Sequence, residues 1–195
     1  MTYRYPTGRT AEEVYDTLYR DTSYGTGERG RGAEQFCKGY KSLLDVGGGK
    51  TPTALRYAKY AALERVVVCD ISAEALKEQV AAHVHCDVTV GLPFADDEFD
   101  VVTCFDVMEH IQPDKVDFVI AELGRVAKHR IILAIATKQT PKRGSKREKL
   151  HLTLQPRKWW LKKLGAVGKV SVHKCVAFVK HNHKHYAERL LVELA

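Results

Sequence analysis

Between residues 43 and 136 the chain alternates short apolar runs with longer stretches of mixed polarity. Leu43–Gly47, Arg65–Asp70, Asp100–Phe105 and Arg130–Ala136 are dominated by Leu, Val, Ile and Cys with little polar interruption. Runs of that length fit strands buried on both faces of a parallel sheet. His83–Asp87 reads as a shorter strand of the same kind. The intervening segments have helical spacing: Thr51–Ala62, the stretch Ala73–Ala81 behind a capping Ser72, and Asp114–Ala127, where Val116, Val119, Ile120 and Leu123 share one face. Strand and helix in regular alternation predict an α/β protein with a doubly wound, mostly parallel sheet and helices on both sides.

The flanks differ. Residues 10–20 read as a helix with a capping box, Thr10 at the cap and Glu13 three residues on. Val14 with Leu18, and Tyr15 with Tyr19, share its faces. Residues 21–32 form a Gly-rich loop, either a lid or a connector, and 33–40 a short helix. After Ala136 come a basic loop over 137–150 and a helix over Gln155–Gly165 with Trp159 and Trp160. Lys169–Val172 and Cys175–Lys180 fit a last antiparallel hairpin, and the final segment, residues 185–195, reads as a helix. The expected organisation is one domain, 1–195. Its parts are an N-terminal helix and loop (1–40), a core (41–136) and a C-terminal segment (137–195).

Composition narrows the class. A 45% hydrophobic chain of 195 residues can bury a real core. No apolar run approaches the roughly 20 residues that span a bilayer, and the first ten residues lack the apolar segment of a secretory signal. The five cysteines, at 37, 69, 86, 104 and 175, include no CxxC pair, so neither a zinc cluster nor a disulfide framework is indicated. A reducing, cytoplasmic setting is expected. The net charge of +7 is concentrated: Lys138–Lys163 carries ten Lys/Arg against Glu148 alone. Such a stretch suits an anionic partner such as nucleic acid, or is a solvated loop and helix face.

The chemistry centres on Leu43–Thr51, LLDVGGGKT, a buried strand that ends in three glycines before a helix. A phosphate-binding GxxxxGK[ST] loop fails because position 44 is Leu where the first Gly must stand. The dinucleotide pattern GxGxxG fails because position 52 is Pro. Asp45, Gly47 and Gly49 instead match [DE]-x-G-x-G-x-[GA], with Thr51 at the third small position. Asp70 ends the second strand and Asp87 the third. Leu92–Phe94 with Asp97, Phe99 and Asp100 spell LPFxxDxFD into the fourth, which closes as FDVMEHI at 105–111.

Over residues 40–140 this series resembles the class I S-adenosylmethionine-dependent methyltransferases of the small, single-domain type. The resemblance implies a Rossmann-like sheet and S-adenosyl-L-methionine as methyl donor. It implies that Asp70 holds the ribose hydroxyls and Asp87 the adenine amino group. Asp45, Gly47, Gly48 and Gly49 would form the cofactor turn, and Ile71, Val88 and Phe105 would join the cofactor contacts. Tyr24 and Arg29 are candidates for the methionine end. The structural alternative for each acid is a cap or a surface charge; strand-end position favours ligand contact, because open parallel sheets bind ligands beyond their C-terminal strand edges.

For the transfer step, Asp106, His110 and His151 are the candidate catalytic residues. Asp106, Glu109, His110 and His151 also resemble the ExxEH…H metal set of small-RNA terminal 2′-O-methyltransferases, with Asp in place of the first Glu, and imply Mg²⁺ or Mn²⁺. Three alternatives stand at this point: metal assistance, a His base without metal, and positioning alone. His181, His183 and His185 are read as a solvated tail. The expected reaction is methylation of an oxygen, or less favourably a nitrogen, of a small acceptor such as a sugar, phenol or metabolite. The alternatives are RNA ribose 2′-O-methylation, favoured by the basic stretch, and a non-catalytic cofactor-binding scaffold. The amino-methyltransferase motif [DNS]PP[YFW] is replaced by FDVM at 105–108.

Overall fold

The computed structural model describes residues 3–25, 30–137, 150–176 and 186–194. Arg29, most of the basic stretch (138–149) and His181, His183 and His185 lie outside them. Helix α1 (Ala11–Asp21) carries the expected capping box: Thr10 accepts from the Glu13 N–H, and the Glu13 side chain accepts from the Thr10 N–H. Strand β1 (Ser42–Val46) leads through the glycine turn to α2 (Thr53–Ala61), with Pro52 at its cap. Then follow β2 (Arg65–Asp70), α3 (Ala73–Leu76), β3 (Ala82–His85), β4 (Phe99–Phe105), α4 (Val116–Val126) and β5 (Ala127–Ala134). Helix α5 (Arg157–Leu164) precedes β6 (Lys169–Val176) and β7 (Tyr186–Glu193).

Among the described residues these strands form one sheet in the order β3-β2-β1-β4-β5-β7-β6. The β3–β5 part is parallel, and β7 runs antiparallel between β5 and β6. The order reverses beside β1, between β2 and β4, which opens a crevice at the C-terminal strand edges. The buried strands serve two cores because alternate side chains leave opposite faces. Leu44, Val46, Val102, Cys104, Ile131 and Leu133 pack with α4 and α5. Leu43, Val68, Val101, Phe105 and Ile132 pack with Tyr57 of α2 and Leu76 of α3.

Three expectations need correction. The terminal segment is β7, not a helix: Leu190 and Val192 enter one core and Leu191 the other, so tertiary burial on two faces overrides helical propensity. The two short strands expected over 169–180 are replaced by one strand, β6, whose hairpin partner is β7. The helix after Ser72 stops at Leu76 because Gln79 Nε2 is drawn to the carbonyls of Gly49 and Thr51, turning the chain toward the glycine loop. No helix among the described residues is long and apolar enough to cross a membrane.

Two carboxylates fasten loops to this frame. Asp100 accepts from the Lys41 and Ser42 N–H groups, which more than offset the raising effect of burial and lower its pKa. The Arg125 guanidinium lowers that of Glu122, which also accepts from the Leu92 N–H. Folded-state values below the unfolded ones give stability that is complete above the unfolded pKa and is lost as pH falls through the folded values. The thermal midpoint should therefore hold level down to about pH 5 and decline below about pH 4, as read by circular dichroism melts across that range.

Candidate functional site

A cleft of about 810 Å³, counting space open to solvent at its mouth, lies over the C-terminal ends of β1, β2 and β4. Its floor begins at Val46 and Gly47. Gly47 has φ +69°, and a Cβ there would lie 2.3 Å from Val107 Cγ2, so glycine is required by both conformation and space. The Gly47 N–H donates to the Cys69 carbonyl at 2.7 Å, holding the turn against β2. Gly49, at φ +59°, lies beneath Tyr19, where a Cβ would come within 2.4 Å of the phenol oxygen.

Asp70 is buried at the end of β2 and lines the cleft. Its carboxylate accepts from the Gly49 N–H at 2.9 Å and the Ser72 N–H at 2.8 Å, so it ties the glycine turn to the start of α3. Ile71 lines the cleft beside it. Asp87 and Val88 lie further along the same wall, Asp87 accepting from the Thr89 N–H (2.8 Å) and hydroxyl (2.7 Å). Of the residues expected at the cofactor, Asp45, Gly48, Gly49 and Phe105 do not line the cleft. Asp45 is buried on the opposite sheet face, where it accepts from the Thr103 hydroxyl at 2.7 Å and bonds β1 to β4. Phe105 is buried against Tyr57.

Helix α1 roofs the cleft. Asp16 accepts from the Ser72 hydroxyl (2.6 Å) and the Glu74 N–H (3.2 Å), capping α3 from outside, and His85 lies 3.2 Å from Glu12. This places Tyr15 and Tyr19 on the cleft, joined by Tyr3 and Tyr24. Burial pushes the Tyr15 phenol well above its usual pKa, so it stays protonated. Tyr24 was a candidate for the cofactor's methionine end, whereas Tyr3, Tyr15 and Tyr19, with Val107, Thr89 and Gln112, were not marked by sequence. The Tyr15–Tyr19 face was legible, but not what it would cover.

The far wall follows β4. Asp106 has φ +55°, an uncommon left-handed conformation for a residue with a Cβ, fixed by its N–H bond to the Ala134 carbonyl at 2.8 Å. It lines the cleft, as does His110 at the end of the turn Met108–His110. His110 Nδ1 lies 2.8 Å from the Tyr15 hydroxyl and 3.1 Å from the Leu150 carbonyl. The segment after the basic stretch docks here: the Leu152 and Thr153 N–H groups donate to the Glu109 carbonyl at 2.8 and 3.0 Å, and the Thr153 hydroxyl to the Ile111 carbonyl at 2.7 Å. His151 thereby meets His110 edge to face, ring centres 4.7 Å apart. Ligand atoms of Glu109, His110 and His151 all lie within 4.8 Å of one another. Asp106 is not part of that group.

The family model described as "Methyltransferase domain" matches residues 44–135, the span from β1 to the end of β5. No curated protein sequence matches the chain. Among solved structures, the PH0226 protein of Pyrococcus horikoshii OT3 aligns with TM-score 0.64 at 15% identity, covering 84% of this chain and 86% of that one. A SAM-dependent methyltransferase of Methanosarcina mazei gives 0.64 at 15% identity, covering 84% and 97%. Magnesium protoporphyrin IX methyltransferase of Synechocystis PCC 6803, solved with bound SAM, gives 0.55 at 22% identity, covering 84% and 74%. At such identities these likenesses speak for the fold. Together with the family match over the motif-bearing strands, they identify the span from β1 to β5 as an S-adenosylmethionine-dependent methyltransferase domain.

Proposed function

We propose that the chain methylates a hydroxyl oxygen of a small, uncharged acceptor such as a sugar or phenol. The observation that carries this reading is the continuity of the cleft from Gly47, Asp70 and Asp87 to His110 and the tyrosines of α1. In this reading Asp70 receives the ribose hydroxyls, Asp87 and Val88 border the adenine, and Gly47 lies near the methionine portion. The acceptor lies between Tyr15, Tyr24, His110 and Gln112. Its oxygen attacks the methyl carbon, the carbon–sulfur bond breaks, S-adenosylhomocysteine leaves, and the hydroxyl proton passes to His110. Holding the two reactants in line supplies much of the rate. The roof of α1 keeps water from the sulfonium. Of the basic residues described in the C-terminal part, Arg157, Lys158, Lys162 and Lys163 are on α5 and none lines the cleft, which favours the small acceptor over RNA.

A second reading has one observation in its favour, the Glu109–His110–His151 group. Two imidazoles and a carboxylate suit Mn²⁺ better than Mg²⁺, which prefers all-oxygen ligands. A cation there would bind the acceptor oxygen and lower its pKa.

The test is a thermal-shift series with S-adenosylhomocysteine, with and without Mn²⁺, followed by turnover on a panel of sugars and phenols. At about 100 times its dissociation constant the nucleoside should add roughly 2.7 kcal/mol of stability. His110→Ala should keep that shift and lose about 10²–10⁴-fold in turnover. No shift with either S-adenosylmethionine or its product would sink the proposal. A further shift with Mn²⁺ that His151→Ala abolishes would select the metal reading.

A further inference from the structure

Two thiols that no step above employs face the same cleft. Cys69 is the penultimate residue of β2, and Cys86 follows the last residue of β3. The Cys86 N–H donates to the Asp70 carbonyl at 3.0 Å, which holds the two chain segments side by side. In the strand register Cys69 stands opposite Val84, two residues before Cys86, so both thiols leave the same face of the sheet. Both line the cleft, between the glycine turn and Asp87. Cys69 is buried and Cys86 is half-buried, and both are free thiols.

The pair is asymmetric. The thiols are hydrogen-bonded, and the bond raises the Cys69 pKa, with burial adding to it. The same bond lowers that of Cys86, outweighing burial and the nearby Asp70 and Asp87 carboxylates. Cys69 lies behind, and Cys86 is the more accessible and the more readily ionised of the two. Thiolate character and access are what make a cysteine nucleophilic. Cys37 and Cys104 are fully buried, and burial raises the pKa of both.

We propose that Cys86, set beside Cys69 on one face of the sheet and open to the cleft, is a thiol-modification site whose occupation closes the cofactor cleft. The co-reactant is a small disulfide. The Cys86 thiolate attacks one sulfur, the disulfide bond breaks, a mixed disulfide forms on Cys86, and the other half leaves as a thiolate. A group attached there stands between Asp70 and Asp87, in the space the proposed function assigns to the nucleoside, and the inference rests on that reading. Reduction by an added thiol reverses the exchange.

The probe is 5,5′-dithiobis(2-nitrobenzoic acid), followed by thionitrobenzoate release, with peptide mass spectrometry to locate the adduct. The Cys86 peptide should be labelled first, about tenfold or more faster than those of Cys37 and Cys104. Cys69→Ala should slow labelling of Cys86 several-fold, because the donor that favours the thiolate is gone, and Cys86→Ser should remove that fast phase. Labelled protein should lose its S-adenosylhomocysteine thermal shift and regain it with dithiothreitol. Labelling of Cys86 no faster than of Cys37 would overturn the proposal, as would a labelled chain that keeps its full shift. If unlabelled protein shows no shift while Cys86 labels rapidly, the cofactor reading has failed and the reactive thiol stands without its role in the cleft.

Discussion

Asp70→Ala should bind S-adenosylhomocysteine about a hundredfold more weakly than the parent, as isothermal titration calorimetry would read it. Two of the carboxylate's acceptor positions already serve the Gly49 and Ser72 N–H groups, and a carboxylate has about four such positions. In the proposed complex the carboxylate also receives ribose hydroxyls. Hydrogen bonds to an ionised group contribute about 1.5–3 kcal/mol each, and about 2.7 kcal/mol is a hundredfold in affinity. The substitution also leaves one backbone N–H of the glycine turn, at Gly49, and one at the start of α3, at Ser72, without their acceptor, at about 1–3 kcal/mol each if they stay buried. A melt without ligand therefore accompanies the titration. Asp70→Asn keeps an acceptor oxygen and the side-chain volume, and should lose closer to tenfold in affinity. If Asp70→Ala is folded and binds within threefold of the parent, the assignment of this carboxylate to the ribose is wrong; the threefold bound corresponds to about 0.65 kcal/mol.

Trp160→Ala should destabilise the chain by about 3–5 kcal/mol in urea unfolding, the cost of deleting a large buried ring. Trp160 is fully buried between α5, α4 and the sheet. Its indole N–H has no hydrogen-bond partner among the described residues. Trp160→Phe removes that unsatisfied group along with some volume, so it should cost well under half as much. Trp159 is the contrasting neighbour. It is only partly buried, lies edge to face on Trp160 at 4.9 Å, and carries the Lys163 ammonium 5.3 Å from its ring centre. Trp159→Ala should cost no more than about 1.5 kcal/mol. Equal losses at the two positions would mean that α5 does not seat as described.

The alternation from β1 to β5 was legible because strands buried on both faces have few polar positions, and Arg65–Asp70 was bounded to the residue. Legibility failed where tertiary contacts overrule local preference. Residues 190–192 carry consecutive apolar side chains that suit a helix or a doubly buried strand equally, and only the open edge of β5 decides. Asp70, Asp87, Gly47, Asp106 and His110 line the cleft because strand ends and the glycine turn fix their positions. Tyr15 did not announce itself, since its meeting with His110, 95 residues away, depends on how α1 folds over the sheet. His151 is a mixed case: its approach to His110 was expected through resemblance, yet the hydrogen bonds that bring it there are backbone contacts of Leu152 and Thr153 that no side-chain pattern encodes.

The placement of β7 between β5 and β6 also orders events in time. On the ribosome β5 and β6 emerge before the strand that joins them, so Ile131–Leu133 must wait with an unpaired edge until residues 190–192 are made. Such an edge is a template for pairing with other chains, and non-local strand pairing is slow. Synthesis of β7 is then the event that completes the sheet, and pausing before it lengthens the period in which the nascent chain is prone to aggregate.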